Sequence, residues 1–294
     1  MRVLIVASYN KGCFAPFVIE QAEALESAGC EVSWFGVQGK GICGYLREQK
    51  RLRKQLRACQ PDVIHAHYGL SGLLANLATR QIPVVTTYHG SDINEPKVRP
   101  FSKMAMRLSA WNIFVSASLM RLVQAGSRSS VIPCGVTLPN EEWRCPDKKR
   151  VLFVGAFDNE VKDADLAREA MKSIDAELME LKGYTRKEVN ELLCSVSCLL
   201  MTSKSEGSPQ IIKEALACGC PIVSVDVGDV KERTDGVEGC YVVSSRKPED
   251  IAEAIRLALA VQVKTNGCEK IVADGLTNEQ VTKKIMEVYA SVMQ

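Results

Sequence analysis

The chain has 294 residues, 46% hydrophobic and 24% charged, the balance of an ordinary globular protein rather than of a disordered, fibrous or low-complexity chain. No apolar run reaches the ~20 residues that a spanning helix needs, and Val3 to Ala7 is too short for a signal-peptide core, so a membrane-spanning or secreted protein is not expected and a cytoplasmic one is. The formal net charge of +2 argues against a dedicated nucleic-acid binder, but it hides an asymmetry: 17 Lys+Arg against 10 Asp+Glu over residues 1–145, and 20 against 25 over 146–294.

In chain order, short Val/Ile/Leu-rich runs alternate with helical stretches, the pattern of a parallel sheet covered on both faces. Strands are expected at 2–7, 31–37, 62–66, 83–88, 112–115 and 130–132, with helices over 14–28, 44–59, 70–79, 101–110 and 116–124 between them. A Pro-, Gly- and charge-rich break from Cys134 to Lys149 interrupts the rhythm. It resumes with strands near 151–155, 176–181, 197–201, 221–225 and 240–243 and helices near 163–173, 185–194, 209–217 and 249–260. The last stretch carries Val281, Ile285, Val288, Tyr289 and Val292 on one helical stripe. The division that follows is a first Rossmann-like domain over 1–133, a linker at 134–149, a second domain over 150–275 and a C-terminal helix over 276–294 that packs across the junction.

Twelve cysteines without a Cys-x-x-Cys pair or a neighbouring histidine read as reduced, small hydrophobes, and no metal site is expected. His65 and His67 flank Ala66 at the end of a strand and are expected on opposite faces, one packed and one lining a crevice. Gly39, Gly41 and Gly44 match a dinucleotide fingerprint but follow the second strand and lack the acidic residue it requires, which leaves a nicotinamide-dependent oxidoreductase as a minor alternative. Asp163 and Asp165 form a potential metal pair, or simply acids at a helix start. From Lys40 to Arg57 seven basic residues stand against Glu48 alone, a solvated helix face or a contact for anionic lipid headgroups.

The segment Thr202 to Gln210 follows a strand and opens a helix, with Ser208 suited to the N-cap and Pro209 to the first helical position. Free amides at such a helix start, beyond the carboxyl end of a parallel strand, form a ready anion site. Glu206 lies in the loop and Glu214 on the helix, and carboxylates accept well from sugar hydroxyls. Phosphate-binding amides beside carboxylates suit a sugar joined to a diphosphate.

Glu206 and Glu214 form a Glu-x7-Glu pattern followed by Ala215-Leu216-Ala217-Cys218-Gly219-Cys220-Pro221, and this resembles the donor-site signature of the retaining glycosyltransferases of family 4, with their two-domain GT-B architecture. Ile132-Pro133-Cys134-Gly135-Val136, Val154-Gly155, Gly228 with Glu232, and Tyr88-His89-Gly90-Ser91-Asp92 resemble further family motifs in the expected order. The resemblance implies two Rossmann-like domains facing across a cleft and transfer of a sugar from a UDP-, GDP- or ADP-sugar to a glycan or lipid-linked acceptor in cell-surface polysaccharide, lipopolysaccharide or glycoconjugate synthesis. It implies no cofactor, no metal and no covalent intermediate: the acceptor hydroxyl attacks the face that the departing β-phosphate leaves.

Carried over by position, Glu206 holds donor-sugar hydroxyls, Glu214 the ribose, and the backbone of Gly207, Ser208, Pro209, Gln210 and Ile211 surrounds sugar and phosphates. Lys162 clamps the diphosphate beside Gly155. His89 meets the sugar being transferred, and Gly12 with His67 borders the acceptor and phosphate side. The family's second clamping cation, an arginine just after Gly155, is Ala156 here. Its charge must come from Lys162, the helix start, or another cation such as Lys204 or Arg186. The chain is also shorter than family members usually are, and a non-catalytic nucleotide-sugar or acceptor-binding protein is the alternative that both departures suggest. The partners expected are thus a nucleotide-sugar donor, a glycan or lipid-linked acceptor and, through Lys40 to Arg57, the inner face of an anionic membrane.

Overall fold

The computed structural model describes residues 1–141 and 143–294. They form two compact units, the first made of Met1–Gly135 with Asn278–Gln294 and the second of Val136–Thr277. Both are parallel α/β units, as the alternation predicts.

The first unit runs β1 (Arg2–Ser8), α1 (Pro16–Ser27), β2 (Glu31–Val37), α2 (Gly41–Arg47), α3 (Gln49–Cys59), β3 (Val63–His67), α4 (Gly69–Ala78), β4 (Val84–Tyr88), α5 (Ser91–Asn94), α6 (Arg99–Leu108), β5 (Trp111–Phe114), α7 (Ala117–Leu122) and β6 (Ser129–Val131). Its six strands lie in the order β2-β1-β3-β4-β5-β6. The two-residue period of a strand sends Val3, Ile5, Val63 and Val85 into one core layer and Leu4, Val6, Ile64 and Val84 into the other. The strand order turns back at β1 and β3, and ligands of such sheets bind beyond the carboxyl ends of strands at that point.

The second unit runs β7 (Arg150–Phe153), α8 (Ala164–Met171), β8 (Glu177–Glu180), α9 (Arg186–Leu193), β9 (Cys198–Met201), α10 (Gln210–Cys218), β10 (Ile222–Val225), α11 (Val230–Thr234), β11 (Cys240–Val243), α12 (Pro248–Leu259) and α13 (Gly267–Ala273), with strand order β11-β10-β9-β7-β8. Its turning point lies between β7 and β9. Leu152, Leu199 and Ile222 face one helical layer while Val151, Leu200 and Val223 face the other.

Three expectations change. The single helix expected over 44–59 is two, broken at Glu48. The linker expected at 134–149 belongs to the second unit from Val136 onward: the Trp143 indole is buried and donates to the Val196 carbonyl at 2.6 Å, while its backbone N–H reaches Cys218. The C-terminal helix α14 (Asn278–Met293) starts at 278 rather than 276, and its stripe of Val281, Ile285, Val288 and Tyr289 shares the core of the first unit with Val18, Ala22 and Leu25 of α1. An apolar stripe announces that a helix has a partner without saying which one.

Among the described residues no helix is long and apolar enough to cross a membrane. All twelve cysteines are free, and no group of three or more His, Cys, Asp or Glu side chains is arranged to hold a metal ion among the described residues. The glycine fingerprint has a packing explanation. A Cβ on Gly39 would lie 2.2 Å from the Gly44 carbonyl carbon, so the pair lets α2 fold back onto the end of β2.

Candidate functional site

In the second unit the loops after β7 and β9 are tied to each other. Thr202 at the end of β9 donates its hydroxyl to the carbonyls of Lys162 and Asp163, both at 2.9 Å, and Lys204 N–H donates to Val161 O at 2.8 Å. Gly155 turns the chain with φ +113, and a Cβ there would stand 3.1 Å from the Lys162 stem. This brings Lys162 Nζ to 2.7 Å from Glu206 Oε1, with only 21% and 16% of the two side chains exposed. Glu214, one turn along α10 and 3% exposed, is paired at 2.7 Å with Arg186 NH1 from the start of α9. Each carboxylate of the Glu-x7-Glu pattern therefore carries its own cation. The family resemblance places Glu206, Lys162 and Glu214 separately, and neither ion pair was expected from the sequence.

The loop from Gly207 to Pro209 passes close to Gly228. A Cβ on that glycine would meet the Gly207 carbonyl oxygen at 2.9 Å and its φ is +62, so only glycine suits the position. Pro209, expected as the first helical residue, is extended at ψ 118 and is itself the N-cap, so α10 starts at Gln210, followed by Ile211. Ser208, expected as the cap, makes no capping bond. Its hydroxyl is buried without a hydrogen-bond partner, a group that a bound ligand would satisfy.

The acidic pair at 163 and 165 has other work. Asp163 sits in the left-handed region and accepts from Arg246 NH2 at 2.7 Å, while Asp165 pairs with Arg168 on the surface. Arg246, which the sequence did not single out, also donates to the carbonyls of Thr202 and Ser203 and so braces the loop.

In the first unit the expectation for His65 and His67 is corrected. Residues two apart on a strand share a face, and the two rings stack at 4.6 Å with 18° between their planes. His65 is fully buried, 2.6 Å from the Tyr289 hydroxyl of α14 and 2.7 Å from the Thr87 hydroxyl. His67 Nδ1 lies 3.0 Å from His89 Nε2, and its own Nε2 is buried without a partner. Burial lowers the His67 pKa to about 3 and that of His65 well below its usual value, because a charged imidazole loses its hydration there.

His89 is half-buried. The Phe17 and Tyr68 rings lie 4.7 Å from its ring, and Cys134 Sγ stands 3.8 Å from its Nδ1. The turn that carries it depends on Asp92, whose carboxylate accepts from the N–H groups of Gly69, His89 and Gly90 at 3.0 to 3.1 Å. Burial raises the Asp92 pKa to about 6, with those amides pulling the other way. Its role was missed, although it stands three residues after His89 in a turn whose amides need an acceptor. Beside this turn a cavity of about 520 Å³ is lined by Asn10, Phe14, Tyr45, Tyr68, Ser91 and Asp92 among others. Gly12 is exposed at φ +75 in the loop after β1, on the rim beside Lys11 and Cys13.

Known proteins resemble this chain in sequence and in fold. A profile described as Glycosyltransferase Family 4 matches residues 32–138, and one described as Glycosyl transferases group 1 matches residues 146–260. A curated relative, the putative teichuronic acid biosynthesis glycosyltransferase TuaC of Bacillus subtilis, is 27% identical over 241 residues, 68% of this chain and 61% of that protein. The match thus spans about three fifths of the length of that relative. Sucrose-phosphate synthase from Thermosynechococcus elongatus has the same fold with a TM-score of 0.85 at 17% identity over 99% of both chains. Anabaena HepE in complex with UDP and glucose reaches 0.76 at 16% identity over 99% of this chain and 100% of its own. The chain belongs to the family 4, group 1 glycosyltransferases, with Rossmann-like units of the GT-B type.

Proposed function

We propose that this protein moves a sugar from a nucleoside diphosphate donor to an acceptor hydroxyl, with retention at the anomeric carbon. The observation that carries the reading is the pairing of Glu206 with Lys162 and of Glu214 with Arg186 around the start of α10. A ligand that takes both carboxylates must offer hydroxyls, and one that takes the cations and the helix amides must offer an anion. A nucleotide-sugar offers both. In this reading Glu206 accepts from the sugar, Glu214 accepts from the ribose, and Lys162, the Ser208 hydroxyl and the backbone from Gly207 to Ile211 receive the diphosphate as it becomes the leaving group. His89 contacts the transferred sugar. The cavity beside it in the first unit receives the acceptor, with Gly12 on its rim, while His67, expected at the acceptor side, is fully buried and acts only through its contact with His89.

The HepE complexes with UDP and with UDP-glucose support a uridine donor among those considered, and the name of TuaC supports a cell-surface polysaccharide acceptor. The reading includes work at the cytoplasmic face of an anionic membrane. Lys40, Arg47, Lys50, Lys54 and Arg57 are exposed, while Arg51 lies over the Phe35 ring and Arg53 donates to the Leu77 and Ala78 carbonyls. Five of the seven basic side chains thus remain for headgroups.

A panel of UDP-, GDP- and ADP-sugars tests the donor. A ligand at 100 times its dissociation constant adds about 2.7 kcal/mol of stability, a measurable rise in melting temperature, and product formation then identifies the active donor. Stabilisation by none of them, with no transfer or hydrolysis, would remove the reading. Ala156, where the family has its clamping arginine, favours one alternative, a nucleotide-sugar binder without turnover. Stabilisation without product across a broad acceptor panel would establish it.

A further inference from the structure

The donor reading leaves a charge unaccounted for. A diphosphate presents more negative charge than Lys162 can balance, and position 156 supplies none. We infer that Arg186 is the missing diphosphate-binding cation, held on Glu214 while the site is empty and transferred to the phosphates when the ribose takes its place. The inference rests on the proposed donor site and names the group that completes it.

Four cations stand near the loops after β7 and β9, and their attachments separate them. Lys162, paired with Glu206, is the cation already assigned to the diphosphate. Arg246 is bound by three acceptors, Asp163 and the carbonyls of Thr202 and Ser203, and leaving them would undo the loop. Lys204 faces Asp163 at 3.9 Å. Arg186 differs in having a fixed root and, in Glu214, a partner that ribose hydroxyls can replace. Its backbone is pinned by a complete capping box, in which Thr185 N–H donates to Glu188 and Glu188 N–H donates to the Thr185 hydroxyl. Its side chain is 36% exposed and meets Glu214.

The distance is short. Glu214 lies four residues after Gln210, about 6 Å along the axis of α10 from the amides at its start. Rotation about the arginine's own torsions covers that span. The exchange also resolves the burial of Glu214. A carboxylate 3% exposed needs a partner at all times, and the ribose hydroxyls replace the guanidinium as it leaves. The guanidinium fork then matches two phosphate oxygens at once, as an ammonium cannot.

The test is titration calorimetry of the full chain with UDP, GDP and ADP and with their parent nucleosides. For the diphosphate that the unaltered protein binds best, Arg186→Ala is expected to weaken binding about 10–100-fold, the loss of one charge-assisted contact, and the nucleoside at least tenfold less than that. Arg186→Lys should recover part of the loss. Because Arg186→Ala strands a buried carboxylate, the same comparison is made on Glu214→Gln. Adding Arg186→Ala to that variant should again cost the diphosphate and spare the nucleoside. Equal losses for diphosphate and nucleoside in both backgrounds would overturn the inference and leave Arg186 as a mere partner of Glu214. If the unaltered protein binds none of the three diphosphates, the donor reading itself falls, and this assignment with it.

Discussion

The two units put one scaffold to opposite electrostatic uses. In each, a parallel sheet turns back on itself and polar side chains gather in the loops beyond that point. In the first unit the cluster is three stacked or hydrogen-bonded imidazoles among aromatic rings, and burial holds the pKa values of two of them, His65 and His67, below the usual histidine value. In the second it is two carboxylates, each matched to a cation. The formal charges run the other way. Residues 1–135 with 278–294 hold 18 Lys+Arg against 10 Asp+Glu, whereas residues 136–277 hold 19 against 25. The unit with the positive surplus is not the one whose site is built from cations. Net charge describes the outer surface, and local pairing describes the site.

The largest expected effect tests the paired-charge side of that contrast. Lys162→Ala and Glu206→Ala should each lower glycosyl transfer at saturating donor by about 10²–10³-fold, the usual loss for one preorganised contact to a leaving group or reacting sugar. Rates within a few-fold of the unaltered protein would dissolve the distinction between the two sites. Next comes the turn under His89. Asp92→Ala leaves three buried N–H groups without an acceptor and should cost about 2–3 kcal/mol in urea unfolding of the first unit. A change below the error of the measurement would mean that those amides find other partners.

The third prediction sets the units apart by pH. His65 and His67 have folded pKa values below their unfolded ones, so the unfolded chain binds more protons and stability falls as pH drops below about 6.5. Each histidine contributes about 1.4 kcal/mol per pH unit down to its folded pKa. Asp92 acts in the opposite sense. Its folded pKa is raised to about 6, so between pH 6 and the unfolded value near 4 the folded state holds the extra proton and gains stability as pH falls. Two histidines against one aspartate leave a net loss of about 1.4 kcal/mol per unit in that window. His67→Gln should largely cancel it. The second unit contains no histidine, so the same acid effect appearing with equal slope in its own unfolding transition would break the contrast.

The smallest effect concerns the surface. Each of Lys50→Glu and Lys54→Glu should weaken co-sedimentation with anionic vesicles by about 1 kcal/mol or somewhat more, and added salt should erase the difference. Binding that ignores both lipid charge and salt would confine the positive surplus to solubility.

Much of this was legible along the chain. Most strand positions follow from short apolar runs, and Glu206 and Glu214 stand in a pattern whose chemistry can be read without a structure, whereas Lys162 is placed only by the resemblance to a family. The shared face of His65 and His67 was legible too, since a strand repeats every two residues, yet it was read the other way. Other features were beyond reach. Trp143 lies in a stretch whose prolines and charges indicate a break, and nothing local announces that its ring is buried on residues more than 50 positions later. The start of α10 depends on the extended backbone of Pro209, so the helix opens a residue later than its sequence suggests and Ser208 is left uncapping.

By itself the sequence determined the fold class, the two-unit rhythm and the residue types in the loop before α10, because periodicity and turn chemistry act over a few neighbouring residues. Only the tertiary structure decided which charges meet. Arg186 and Glu214 stand on successive helices of a parallel sheet, and a crossover brings them to 2.7 Å while leaving no trace in their sequence spacing. The same holds for α14, whose stripe required a partner and whose return to α1 depended on where the chain re-entered the first unit. Local sequence sets the elements, and long-range packing sets the pairs that carry charge and chemistry.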